Sequence, residues 1–163
     1  MPVEYVSGDL FANRVGAQAL AHGCNCQGSM GAGIAAEFRV RYPAMYAEYR
    51  RRCKATPREF MPGDVFLYKA DDGRPWVFNL ATQEGYWRSR AKYEWVEQAL
   101  REMRAQADAA GVTSIAMPRI GAGLGGLSWK KVREVIDRVL GEWNGTVYVY
   151  DTYVPEAETT AEQ

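Results

Sequence analysis

The chain has 163 residues, of which 47% are apolar and 25% are charged, and its 20 basic residues balance its 20 acidic ones. These values are typical of one globular domain that buries a core, and no apolar stretch approaches the ~20 residues that a transmembrane helix needs. Because the N-terminus has neither the basic start nor the apolar centre of a signal peptide, we expect a cytoplasmic protein that does not enter a membrane.

Strand-like and helix-like segments alternate along the first half of the chain, which predicts an α/β domain. The predicted elements are strands over 3–7 and 17–24, helices over 34–41 and 43–54, and strands over 65–68 and 76–80. Pro43 suits the first turn of its helix. The last two strands flank Asp72-Gly73, and an Asp-Gly pair predicts a hairpin of antiparallel strands.

The second half continues the alternation. A long helix is predicted from its N-cap Ser89 to about residue 110, where Gly111 ends it. A buried strand over 114–117, a helix capped by Ser128 and a last strand over 145–150 follow. From residue 155 onward the composition is acidic and typical of a disordered tail, so we predict one domain over 1–154 and a tail over 155–163.

The three cysteines do not predict a disulfide framework, because their number is odd. His22, Cys24 and Cys26 are spaced like metal ligands. A structural zinc ion needs four ligands, however, and Cys53 is the only other cysteine or histidine in the chain. We therefore interpret the cysteines as packing residues, predict no metal, and expect His22 to be a half-buried strand residue.

Two glycine-rich loops, over 28–34 and 121–126, are the most informative feature of the chain. Each follows a strand-like run and leads into a helix-like one, where backbone N–H groups and a helix N-terminus are open to an anion. The second loop contains Gly-x-Gly-x-x-Gly, but too little sequence follows for a dinucleotide-binding fold, and neither loop ends as a P-loop does. Together the loops predict a clamp on a ligand that contains a diphosphate.

Basic residues cluster in two places. Seven arginines and lysines lie between Glu37 and Glu59, and Arg88, Arg90 and Lys92 form a second group. Such groups are either solvated helix faces or a rim that contacts the phosphates of a nucleic acid. The sequence leaves both interpretations open.

The two loops lie within longer motifs. The first motif is Gly8-Asp9-Leu10-Phe11, then His22-Gly23-Cys24-Asn25 and Met30-Gly31-Ala32-Gly33-Ile34-Ala35. The second is Pro118-Arg119-Ile120-Gly121-Ala122-Gly123-Leu124, followed by Leu127-x-Trp129. In order and spacing these motifs resemble the macrodomain family over about residues 2–153. The most similar branch contains the terminal ADP-ribose protein glycohydrolase and the antitoxin macrodomains that reverse ADP-ribosylation of DNA.

The resemblance implies a three-layer α/β/α fold with a central mixed β-sheet and ADP-ribose in a cleft at the strand ends. Asp9 would accept a hydrogen bond from the adenine amino group beside the Leu10 backbone, and Asn25 would bind the distal ribose. The residues that would hold the diphosphate and the distal ribose are Gly31, Ala32, Gly33, Ile34, Gly121, Ala122, Gly123, Leu124 and Gly125. Asp9 and Asn25 could instead be ordinary turn residues.

The catalytic positions depart from the glycohydrolase pattern. In that branch a lysine just after the fourth strand attacks the anomeric carbon, and an aspartate in the second loop helps to resolve the adduct. Alignment places Gln83 and Gly125 there, although the antitoxin members also have glycine at the second position. A glutamine amide cannot form the adduct, so we predict hydrolysis by a positioned water. The candidate catalytic residues are Gln83, Asn25 and Glu84, with Glu84 as either a base or a surface acid.

The sequence therefore predicts an ADP-ribosylhydrolase that removes mono-ADP-ribose from a DNA base or from a glutamate or aspartate ester of a protein, without a cofactor. The alternatives are a reader that binds ADP-ribose without cleaving it and a nucleic-acid-binding module. Tyr86 and Trp87 could cover the ribose or stack on a nucleobase. A monomer is the default expectation, and the composition is typical of a bacterium with a GC-rich genome.

Overall fold

The computed structural model describes residues 2–85 and 90–155. Strands and helices alternate within them, as predicted. The elements are β1 (Val3–Gly8), β2 (Ala19–Cys24), α1 (Gly33–Arg41), α2 (Pro43–Lys54), β3 (Val65–Tyr68), β4 (Trp76–Ala81), α3 (Tyr93–Ala110), β5 (Ser114–Met117), α4 (Trp129–Leu140) and β6 (Thr146–Tyr153). A 3₁₀ turn (Leu10–Ala12) follows β1. The predicted tail lies outside the described residues except for Pro155.

These strands form one mixed sheet in the order β1-β6-β5-β2-β4-β3. β3 and β4 are antiparallel neighbours, as the Asp-Gly turn predicts. The remaining pairs are parallel, and β1 pairs with β6 with Val3 opposite Val147. The carboxyl ends of five strands therefore lie together at one edge of the sheet.

Helices cover both faces of the sheet, which confirms the three-layer α/β/α fold. Alternate residues of a strand point to opposite faces, and β2 shows the consequence. Ala19 and Ala21 pack into the core beneath α3 and α4, whereas Leu20 and Cys24 pack with Phe38 beneath α1 and α2. The central strand is thus buried on both sides.

Local signals place most helix ends correctly. Pro43 is the first residue of α2. Gly111 ends α3 with a φ of 74°, a left-handed conformation that glycine adopts without strain. At the start of α4, the Ser128 side chain accepts a hydrogen bond from the Lys131 amide at 3.5 Å.

Two element ends differ from the prediction or cannot be compared with it. β6 runs on to Tyr153 rather than ending at Tyr150, which brings both tyrosines to the carboxyl edge of the sheet. α3 begins at Tyr93, and the predicted cap Ser89 lies outside the described residues.

His22 is fully buried, not half-buried as predicted. Its ring stacks on Phe38 with the centroids 3.9 Å apart. Asn79 Nδ2 donates to the Phe66 carbonyl at 3.1 Å, which leaves Asn79 Oδ1 facing the histidine. His22 Nε2 therefore donates to Asn79 Oδ1, at 2.7 Å. Burial lowers the pKa of His22 to about 4, so the ring is neutral near pH 7.

The three cysteines are free and buried, and they pack in the core beneath α1 and α2. Cys24 Sγ lies 3.5 Å from His22 Nε2. Across residues 2–85 and 90–155, however, no three or more His, Cys, Asp or Glu side chains are arranged to hold a metal ion. None of the described helices combines the length and apolarity required to cross a bilayer.

Candidate functional site

The carboxyl edge of the sheet borders a cleft, which is the usual place for a ligand in an α/β protein. Five strands contribute to its wall. Asp9 follows β1, Gly23 lies near the end of β2, Gln83 follows β4, Pro118 follows β5 and Tyr153 ends β6. The cleft thus depends on the whole sheet rather than on one loop.

The cleft has two connected parts of about 420 and 500 Å³. The residues that line both parts are Gly33, Ile34, Pro118, Tyr150 and Tyr153. Because they share this wall, the parts form one elongated cavity with Asp9 at one end and Gln83 at the other. Its size is that of a typical small-molecule site.

The first glycine loop leads directly into α1, whose N-terminus faces the cleft. Ala32 is the N-cap residue, and no side chain accepts a hydrogen bond from the first turn. The first N–H groups of a helix have no partner within the helix, and they attract an anion together with the helix dipole. Ala32, Gly33 and Ile34 all line the cavity.

The second glycine loop is a compact turn held by its own backbone. The Gly126 amide donates to Gly123 O at 3.2 Å, and the Leu127 amide donates to Gly121 O at 3.0 Å. The amides of Gly123 and Leu124, by contrast, donate to no acceptor within the described residues. Both residues line the cleft, and their unpaired N–H groups are therefore available to an anion.

The two loops touch across the cleft. The Leu124 side chain is 73% exposed, and its Cδ1 lies 3.2 Å from where a Cβ on Gly33 would be. Gly33 has a φ of 61°, a conformation that disfavours other residues. A side chain at position 33 would therefore strain the backbone and push Leu124 away.

Asp9 lies at one end of the cleft and caps the 3₁₀ turn. Its Oδ1 accepts a hydrogen bond from the Phe11 amide at 3.0 Å, whereas Oδ2 has no donor among the described residues. Leu10 lines the same part of the cleft and is almost fully buried. The carboxylate is therefore fixed in place with one oxygen left to accept a hydrogen bond.

Asn25 does not line the cleft. Its Oδ1 accepts hydrogen bonds from the Gln27 amide at 3.0 Å and from Tyr49 OH at 2.9 Å, and its Nδ2 donates to Ser29 O at 2.7 Å. This pattern holds the first glycine loop in shape. Gly31 and Ala122 also lie outside the cavity wall.

Gln83 lines the far end of the cleft. Its backbone forms an isolated bridge with Ala91, and its Nε2 donates to Gly85 O at 2.5 Å. One N–H group thus orients the side-chain amide. The acceptor Oε1 remains available to a bound water.

Glu84 follows Gln83 but is directed away from the cleft. Its Oε1 lies 2.8 Å from Arg58 Nη1, and Arg58 Nη2 donates to Oε2 at 3.2 Å. This bidentate pair raises the pKa of Arg58, and it holds the carboxylate outside the cavity wall. Tyr86 and Trp87, the other candidates in this segment, lie outside the described residues.

The family model described as Macro domain matches residues 21–136. This range is more than half of the chain and includes both glycine loops. The chain belongs to the macrodomain family.

Three relatives illustrate what this macrodomain is similar to. The DNA ADP-ribosyl glycohydrolase of Mycobacterium tuberculosis is 34% identical over 134 residues, which are 81% of this chain but only 37% of that protein. The human ADP-ribose glycohydrolase OARD1 is 32% identical over 148 residues, covering 91% of this chain and 90% of that protein. The macrodomain of Thermus aquaticus DarG has a TM-score of 0.81 and 31% identity, covering 91% of this chain and 97% of that one. This macrodomain thus spans little more than a third of the mycobacterial relative.

The macrodomain cleft also contains residues that sequence analysis missed. Tyr150 and Tyr153 line both of its parts, and Thr82 and Arg119 line the larger part. Arg119 is fixed by a hydrogen bond from Nε to Asp151 O at 2.7 Å. The available signal for the tyrosines was the run Thr152-Tyr153-Val154 past Tyr150, because threonine, tyrosine and valine favour strands and so extend β6.

Proposed function

We propose that this macrodomain is an ADP-ribosyl glycohydrolase that removes mono-ADP-ribose from a macromolecule. One observation carries the proposal: a single cleft joins a carboxylate at one end to unpaired backbone amides from two loops in its middle. The names of the mycobacterial and human relatives support the same activity. A bacterial origin, a cytoplasmic location and a monomeric state remain predictions. The three free cysteines agree with a reducing compartment.

The proposed ligand lies along the cleft with the adenine at Asp9. The free Oδ2 would accept from the adenine amino group, and a carboxylate makes a strong acceptor there. The diphosphate would lie between the N-terminus of α1 and the amides of Gly123 and Leu124, where two sets of unpaired N–H groups face it. This orientation brings the distal ribose to Gln83.

The proposed reaction is attack of a positioned water on the anomeric carbon of the distal ribose. The water oxygen forms the new bond to that carbon, and the bond to the base or the carboxylate breaks with its electron pair leaving on the departing group. Gln83 Oε1 would accept a hydrogen bond from the water and so orient it, and the proton that the water loses would pass to the departing base or carboxylate. The nearby diphosphate would stabilise positive charge that develops on the ribose.

Neither Glu84 nor Asn25 is retained as a direct participant. The Glu84 carboxylate is paired with Arg58 and does not border the cavity, so we assign it to holding the segment that carries Gln83. Asn25 is bonded to Gln27, Ser29 and Tyr49 and does not border the cavity, and we assign it to shaping the first glycine loop.

The second candidate function is a reader that binds ADP-ribose without cleaving it. The observation that favours it is the glutamine at position 83, which cannot act as a nucleophile. The two functions share the same cleft and differ only in turnover.

The deciding experiment measures free ADP-ribose released by the purified protein from a base-modified DNA oligonucleotide and from a glutamate-modified protein. We expect release from at least one of them, and the faster substrate identifies the linkage. Binding of ADP-ribose without release from either would leave the reader as the function.

Gly123→Glu tests the site within the same experiment. A Cβ at Gly123 meets no atom within 4 Å, so the variant should fold while placing a negative charge where the diphosphate would lie. We expect release to stop. Ala105→Glu adds the same charge on the exposed face of α3 and should retain release. Unchanged release by Gly123→Glu would show that the diphosphate does not bind at this loop.

A further inference from the structure

A second, polar groove of about 290 Å³ lies beside the first glycine loop. It is lined by Gln27, Gly28, Ser29, Tyr46, Arg50 and Lys54. The groove adjoins the Gln83 end of the cleft, because Gln27 Nε2 donates to Glu84 O at 3.4 Å and Glu84 follows Gln83. The loop over 27–34 thus forms a wall of both the groove and the cleft.

One face of α2 builds the groove. Tyr46, Arg50 and Lys54 recur every four residues and so lie on one side of the helix. They are fitted closely to the loop: a Cβ at Gly28 would be 3.3 Å from Lys54 Cε and 3.4 Å from Arg50 Cγ. Tyr46 OH donates to Gly28 O at 3.2 Å. The two cations are therefore positioned against the loop by their own stems.

The positive charges in the groove have no carboxylate partner among the described residues, whereas the neighbouring arginines of α2 do. Arg51 pairs with Glu48 and Glu59, and Arg52 pairs with Glu48. Arg50 and Lys54, in contrast, form no ion pair within the part of the chain that the structure describes. The helix dipole favours cations in the last turn of α2, but it does not account for why these two are left unpaired.

A third cation extends the groove from α1. The Arg39 guanidinium lies over the Tyr46 ring, 4.5 Å from its centroid, and Arg39 is exposed. Like the other two, it has no carboxylate partner among the described residues. Three unpaired positive charges thus lie along one polar surface beside the reactive end of the cleft.

We propose that this groove binds the sugar-phosphate backbone of the nucleic acid that carries the ADP-ribosylated base, an inference that rests on the proposed glycohydrolase function. Unpaired arginine and lysine are the residues that bind phosphates without regard to sequence. A surface for a protein substrate would instead have an apolar centre and few lysines. Backbone contacts at Arg39, Arg50 and Lys54 fix the strand while its modified base lies at Gln83.

The test compares Arg50→Ala/Lys54→Ala with the wild type on two substrates: a base-modified single-stranded oligonucleotide and the same ADP-ribosylated base as a nucleoside. We expect the KM for the oligonucleotide to rise about tenfold at low salt, with the nucleoside turned over as by the wild type. The slope of log KM against log salt should fall by about 1.4, because each phosphate contact on a single strand contributes about 0.7.

Arg51→Ala is the matched control. It removes one positive charge from the same helix, where the double variant removes two, and Arg51 is already paired with two carboxylates. We expect its KM for the oligonucleotide to stay close to that of the wild type. An equal rise in Arg51→Ala, or no rise in the double variant, would overturn the proposal.

Failure of the proposed function can be told apart from failure of this inference. If the wild type releases no ADP-ribose, the same variants are compared for binding of a fluorescent, unmodified single-stranded oligonucleotide over a range of salt concentrations. Weaker binding and a flatter salt dependence in Arg50→Ala/Lys54→Ala alone would support the groove. Equal binding by all three proteins would overturn it.

Discussion

Gln83 is the residue on which the proposed chemistry depends. Its Nε2 is held by Gly85 O, and the side chain lines the end of the cleft. We predict that Gln83→Ala lowers kcat by about 100-fold, the usual scale for a misplaced reacting group, with little change in KM. The measurement is steady-state release of ADP-ribose from whichever substrate the wild type cleaves; a variant with wild-type kcat would mean that another group positions the water.

The positioning of Gln83 suggests a companion role for the pair beside it. Arg58 holds Glu84 by two contacts, and the Glu84 carbonyl accepts from the Cys26 amide at 3.0 Å. The residue after Gln83 is thereby tied to the segment that leads into the first glycine loop. This arrangement supports the proposal that Glu84 positions the backbone beside Gln83 and takes no part in the reaction.

Among the elements, the second glycine loop is the one whose conformation depends most on the identity of a single residue, Gly125. A Cβ at Gly125 would lie 2.6 Å from Gly121 O, too close for any side chain without movement of the loop. We predict that Gly125→Ala lowers the affinity for ADP-ribose at least about tenfold, which corresponds to ~1.4 kcal/mol. Calorimetric titration would measure it, and Gly123→Ala, which has free space at its Cβ, should lose less.

A stronger loss in Gly123→Ala than in Gly125→Ala would contradict this description of the loop.

The geometry at Gly125 also bears on the departure from the glycohydrolase branch. An aspartate at position 125 requires a Cβ there, and the present loop leaves no room for one. Gly125 is therefore a structural requirement of this loop conformation.

The elements whose form depends on neighbouring residues were predictable from sequence. The Asp72-Gly73 turn, the end of α3 at Gly111 and the cap Ser128 each act within a few residues. The glycine loops were also evident, because two glycine-rich segments each lie between a strand-like run and a helix-like run. Their roles in the cleft, by contrast, came from the resemblance to macrodomains and not from the pattern itself.

Features that join distant parts of the chain were not predictable. The pairing of β1 with β6 joins residues from the two ends of the chain. The burial of His22 depends on Phe38 and Asn79, and the orientation of Glu84 depends on Arg58. No local pattern encodes such partners, so sequence reasoning placed His22 at half burial and left Glu84 as a candidate base.

For the molecule as a whole, His22 makes stability sensitive to acid. Its pKa is lowered to about 4 by burial from about 6.5 in an unfolded chain. Between these values the unfolded state binds a proton that the folded state does not, so the free energy of unfolding falls as pH falls from 6.5 to 4. We predict a loss of about 3 kcal/mol over this range from His22 alone.

The measurement is urea unfolding at several pH values in the wild type and in His22→Gln. The variant keeps a donor for Asn79 but does not titrate. Carboxylates with lowered pKa values, such as Glu48 at about 2, act in both proteins, so the difference between the two curves isolates His22. Parallel curves would show that burial of the ring does not cost the protein stability in acid.

The contact between Leu124 and Gly33 has a consequence for the coupling of binding to folding. It joins two segments that lie far apart along the chain, at the N-terminus of α1 and before α4. A ligand held across it acts as a non-covalent cross-link that the unfolded chain lacks, and at 100 times its Kd it adds about 2.7 kcal/mol by mass action. Amide exchange in both loops should then slow together, because neither loop opens without releasing the ligand.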